Sequence, residues 1–85
     1  MLTQGFTVCL SALELLKPGE QGVVTRFRNV EERTINKLVA MGIKPGTAIR
    51  VERRSHNFII TAENNRWELD PAMTRAICVR LTNTK

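Results

Sequence analysis

Tyrosine is absent from this chain, and its other aromatics amount to three phenylalanines and one tryptophan. Proteins that hold single-stranded nucleic acid stack bases on exposed aromatic rings, and those that read proline-rich segments need an aromatic groove. Phe27, Phe58 and Trp67 all fall at positions that read as core, which leaves no such platform. Histidine occurs once, as His56, and cysteine twice, as Cys9 and Cys78, with no CxxC, HxxxH or ExxH spacing. A metal site needs several such ligands converging, and a nucleophile needs a base beside it. The expectation is therefore no catalytic residue, no metal ligand and no cofactor. Two glycines in Lys17-Pro18-Gly19-Glu20-Gln21-Gly22 lack both a preceding strand and a Gly-Lys-Ser ending, so this stretch is a turn and not a phosphate loop. No apolar run approaches the ~18–20 residues of a membrane span. The first sixteen residues lack the basic start and cleavage site of a secretory signal. The chain is expected in the cytoplasm, with both cysteines reduced and in the core, although one disulfide is allowed arithmetically.

What the chain does have is a compact set of aliphatic residues and an excess of positive charge. Its 85 residues suit one domain, and 13 Lys and Arg against 8 Asp and Glu leave a net charge of +5. Such a surface favours anionic partners: nucleic acid, an acidic protein face or anionic lipid headgroups. There is no internal repeat or linker. Residues 10–82 read as one unit, 1–9 as an N-terminal extension and 83–85 as a flexible tail. Phe6, Val8 and Leu10 alternate as a short strand able to pair within the protomer or with a second copy, so a homo-oligomer is compatible with the pattern.

Ser11-Ala12-Leu13-Glu14 has the spacing of a capping box over one helical turn. Pro18-Gly19 then reverses the chain into a strand, Gly22 to Arg28, whose Val23, Thr25 and Phe27 side is the more apolar unless a bulge intervenes. Asn29 is a candidate cap for a helix over Val30 to Met41, stopped by Gly42. A second Pro-Gly turn at Lys44-Pro45-Gly46-Thr47 leads to a strand with Ile49 and Val51 inward and Arg50, Glu52 and Arg54 in water. Ser55-His56-Asn57 is a turn, Phe58 to Glu63 a strand, Asn64-Asn65 a hairpin turn, and Arg66 to Asp70 its partner, with Trp67 and Leu69 inward. Asp70-Pro71 starts a short helix to Ala76. Ile77, Val79 and Leu81 alternate in a closing strand. The class is mainly β with short helices, arranged as a small barrel-like sheet.

Arg26, Arg28, Arg50, Arg53, Arg54, Arg66 and Arg80 sit mostly on outward strand positions, so several share a face. The commoner reason for charge there is protection of strand edges from aggregation.

Leu13, the run Lys17 to Val24, Leu38 through Met41-Gly42-Ile43-Lys44-Pro45-Gly46-Thr47 with Ile49 and Val51, and Ala76-Ile77-Cys78-Val79 together resemble the FeoA family. The resemblance spans about residues 10–81. It implies an SH3-like small β-barrel and a non-enzymatic accessory role in bacterial ferrous-iron transport. The implied partner is the cytosolic GTPase region of a FeoB-like membrane transporter, through which alone the chain meets the membrane. Lys37-Leu38 stands where many relatives carry Arg-Leu, and Ser55-His56-Asn57 where a Pro-x-Gly turn is usual. Loop tips and exposed faces are free to engage partners. That assigns partner contacts to Met41, Ile43 and Lys44 at the helix end and to Arg50, Arg53, Arg54, His56 and Asn57 on the hairpin. The competing reading is a small nucleic-acid-binding barrel using the basic strand face, weighed below the adaptor.

Overall fold

The computed structural model describes residues 11–28 and 31–82. The expected strand over Phe6 to Leu10, the cap at Asn29 and the tail lie outside these residues. The elements are β1 (Ser11–Ala12), a 3-10 turn (Leu13–Leu15), β2 (Gln21–Phe27), α1 (Glu32–Ala40), β3 (Ala48–Arg54), β4 (Phe58–Ala62), β5 (Asn65–Leu69), α2 (Pro71–Ala76) and β6 (Ile77–Leu81). All strand pairs are antiparallel and form one sheet in the order β1-β6-β2-β3-β4-β5. No ladder joins β1 to β5, so the expected barrel is open along that seam. Helix α2 lies against both edge strands. The curled sheet encloses Leu13, Leu16, Val24, Leu38, Ile43, Ile49, Val51, Ile60, Leu69, Ile77 and Val79.

The two Pro-Gly turns behave alike. Glu20 N–H donates to the Lys17 carbonyl at 2.9 Å and Thr47 N–H to the Lys44 carbonyl at 2.9 Å, with Gly19 and Gly46 at φ +92 and +96. A positive φ at the third turn position is where glycine avoids a Cβ clash. Both turns also extend the β2–β3 ladder. Gly19 N–H donates to Val51 O and Val51 N–H to Glu20 O at one end; Gly46 N–H donates to Val24 O and Val24 N–H to Thr47 O at the other. Between them Gly22 lies against β6, where an added Cβ would sit 3.1 Å from Arg80 O and from Val79 Cβ.

Several expectations give way. Ser11 is extended and paired with Val79, and Glu14 turns to Arg28 (3.5 Å), so no capping box forms. In β2 the inward residue is Val24, not Val23, because Val24 faces Val79 while Phe27 faces Ile77. The bulge between them absorbs one residue and brings Val24 and Phe27 to the same side; Thr25 Oγ1 caps the Cys78 carbonyl there. Helix α1 starts later than expected, after Glu31, with no side-chain cap. The hairpin turn is Glu63-Asn64, both at positive φ, one residue earlier than Asn64-Asn65. Leu81 ends the sheet exposed, since β6 outruns the core at that end. Cys78 is buried as expected.

The short helix α2 forms as its sequence dictates. Asp70 Oδ1 accepts from Met73 N–H at 2.9 Å, Pro71 opens the first turn, and Thr74 Oγ1 donates to Asp70 O at 2.9 Å.

Candidate protein interface

Strands β3, β4 and β5 turn one face to the core and one to solvent, and the outer face carries the charge. On β3, Ile49 and Val51 point inward as the alternation requires, leaving Arg50 outward. The register then shifts: Val51 faces Ile60, while Arg53, two residues on, faces Ile59. Glu52 is the extra residue of a bulge, so Glu52 and Arg53 both reach the outer face where strict alternation would allow one. The same shift reverses the parity of Arg54, which faces Phe58. Its guanidinium carbon sits 5.4 Å from the Phe58 ring centroid and Nη1 donates to Leu16 O at 3.2 Å. Arg54 is exposed as expected, and the bulge also lets it fasten β3 onto the segment after the 3-10 turn.

Two cross-strand rows result. Arg50 lies beside Thr61 and Thr61 beside Arg66; Arg53 lies beside Ile59 and Ile59 beside Glu68. Glu52 Oε2 accepts from Thr61 Oγ1 at 2.8 Å and lies 3.8 Å from Arg50 Nε. Glu68 Oε2 accepts from Asn57 Nδ2 at 2.8 Å. Both carboxylates on this face thus have partners. Neither Arg53 nor Arg66 has an ion-pair partner among the described residues. Between these two arginines runs an open cleft of about 410 Å³ lined by Glu52, Arg53, Ile59 and Arg66.

The residues assigned to partner contact from sequence fall in two places. Lys44 and Met41 precede β3, whereas Arg53 lies near its far end, about 17 Å away at ~3.3 Å per residue from Ala48, with His56 and Asn57 just beyond it. Ile43 is 0% exposed and belongs to the core, so it offers nothing to a partner. Met41 is half-buried against the same core, and Lys44 is exposed with its backbone N–H donating to Thr47 Oγ1 at 3.2 Å. His56 is exposed in a turn held by Ser55, whose N–H and Oγ both donate to Asn57 O. Arg50 and Arg53 stand on the outer face as assigned. The sequence reading left out Glu52, Ile59 and Arg66, which line the cleft. The signal that finds them is the cross-strand register, set by the Glu63-Asn64 turn. Among the described residues no three His, Cys, Asp or Glu side chains gather as a metal site, and no helix is long and apolar enough to cross a membrane.

Comparison with known proteins places this geometry. The model of the FeoA domain matches residues 12–81. A protein of Leptolyngbya boryana, provisionally named Fe(2+) transport protein A, is 40% identical over 79 residues, covering 92% of this chain and 96% of that one. Among solved structures, an iron uptake regulatory protein (FeoA) superposes with a TM-score of 0.77 at 26% identity, over 85% of this chain and 96% of that chain. A Stenotrophomonas maltophilia FeoA complexed with zinc, described as an SH3 domain protein, gives a TM-score of 0.71 at 15% identity, over 80% and 87% of the two chains. At that identity the likeness speaks for the SH3-like fold alone.

Proposed function

The chain belongs to the FeoA family, whose members are accessory proteins linked to ferrous-iron transport, and from that premise we propose that it acts without catalysis by binding the cytosolic GTPase region of a FeoB-like transporter. The observation that carries this reading is the 40% identity, over nearly the full length of both chains, to a protein named for Fe(2+) transport. The structure is consistent with a binding module: its core is filled with aliphatic side chains and the cleft between Arg53 and Arg66 is open. The working unit is residues 10–82, placed in the cytoplasm and held at the membrane only by its partner. Contact is assigned to the outer face around Arg50 and Arg53, with His56 and Asn57 at its margin and Lys44 at the opposite end of β3.

A nucleic-acid interface draws no support from the fold. Phe27 and Trp67 pack against the core and Phe58 lies within it beneath Arg54, so none is free to stack on a base.

Titrating the chain against the transporter's cytosolic region, loaded with GTP analogue, with GDP or with nothing, tests the proposal; an RNA oligomer serves as control ligand. Binding in at least one nucleotide state is expected. Absence of binding in all three would overturn it.

A further inference from the structure

We propose that the cleft between Arg53 and Arg66 is the docking site for an extended acidic segment of the partner protein, a carboxylate lying between the two guanidinium groups and an aliphatic side chain two residues along, on the same side of the segment, resting on Ile59. The partner's identity rests on the accessory-protein reading; the chemistry of the site does not.

Charge complementarity selects the occupant. Five charged residues stand on this face, and the two acidic ones are already engaged, Glu52 by Thr61 and Arg50, Glu68 by Asn57. Asn57 is neutral, so Glu68 keeps its negative charge at the end of the Arg53–Ile59 row; Arg53 and Arg66, on the outer strands of a three-strand face with the half-buried Ile59 on the strand between them, are the two cations of this face without a carboxylate in ion-pair reach among the described residues. A guanidinium presents a planar fork of donors that matches a carboxylate. A low apolar floor between two such groups suits an extended peptide that carries an acidic and an aliphatic side chain two residues apart, and so on one face. It suits a polynucleotide poorly, since the floor carries no aromatic ring on which a base could stack. The bulge at Glu52 is what builds the site, since without it Arg53 would turn to the core side of β3.

The test uses the isotope-labelled chain and a short synthetic peptide with glutamate and leucine two residues apart and serine between them, with its glutamine counterpart as control. Amide shifts centred on Arg53, Ile59 and Arg66, an affinity falling as salt rises, and loss of about tenfold or more in an R53E/R66E variant of unchanged melting temperature are the expected results. Both arginines are exposed, so the variant should fold. Equal binding of the glutamine peptide, shifts confined elsewhere, or full binding by the variant would each overturn the site. Tighter binding of an RNA oligomer at the same residues would overturn it in favour of a nucleic-acid ligand. Repeating the titration with the transporter's cytosolic region separates the two readings. Binding by the native chain that survives R53E/R66E removes the cleft and leaves the accessory role; peptide binding at the cleft with no binding to the transporter removes the accessory role and leaves the cleft.

Discussion

Helix α1 runs for nine residues and fully buries one side chain, Leu38, whereas α2 runs for six and buries two, Thr74 and Ala76. The longer helix begins without a side-chain cap and leaves Val39 47% exposed. The shorter one is capped by Asp70, tied back by Thr74 and wedged between the two free edges of the sheet. Isolated helices of either length are marginal in water, so what fixes each is its tertiary contact and its ends. Length says little about attachment here. One helix hangs from a single side chain and a glycine stop, and the other is fastened at three points.

The sharpest way to break that contrast is Leu38→Ala. Loss of a fully buried leucine costs about 3 kcal/mol, and urea unfolding should show it together with loss of α1 protection in hydrogen exchange while the β2–β3 ladder stays protected. A cost below about 1 kcal/mol would mean that α1 is held by something other than Leu38. Gly42→Ala comes next. Gly42 ends α1 at φ +86, where a Cβ costs about 1–2 kcal/mol, and with no atom within 4 Å of the added carbon the loss should come from backbone strain alone. Thermal melting of the alanine and asparagine variants checks this, asparagine being the milder of the two. Asp70→Ala removes the α2 cap and should cost about 1 kcal/mol; near-neutrality would show that the wedge between β1 and β5 suffices without it. Last, Val39→Ser should change stability by no more than about 0.5 kcal/mol, because that side chain already faces water. A larger loss would reveal a contact made in solution by the outer side of α1.

Much of this architecture can be read from local chemistry. The Pro-Gly pairs, the Asp70-Pro71 helix start, and the inward Ile49 and Val51 each rest on a few adjacent residues, and each forms as those residues require. What could not be read depends on register. The bulges at Thr25 and Glu52 leave no mark in composition, since Val51-Glu52-Arg53-Arg54 looks like uninterrupted alternation into charge. They decide that Val24 is inward, that Arg53 faces out and that Arg54 lies over Phe58. The hairpin shows how small an error suffices. A turn at Asn64-Asn65 would set Arg66 opposite Glu63; the turn at Glu63-Asn64 sets it opposite Thr61, in one row with Arg50 two strands away. One residue of turn displaces the pairing by two, and with it the membership of the cleft. The Ser11 capping box failed for a related reason. Its backbone is claimed by pairing with β6, a contact 68 positions away that no local spacing reports.

The two Pro-Gly turns have a consequence for how the chain can change in length. Each supplies hydrogen bonds to the opposite strand as well as closing its own loop, so β2 and β3 are pinned at both ends by residues of fixed spacing. Adding or deleting a residue within Gly19 to Val24, or within Gly46 to Val51, would move one glycine out of its positive-φ position while the other stayed in place. The seam would have to give up the bonds at one end. Variation in length, whether arising in related chains or engineered as an insertion, should therefore be excluded from these two stretches. It should collect instead at the tip around His56, which is exposed and belongs to neither clamp.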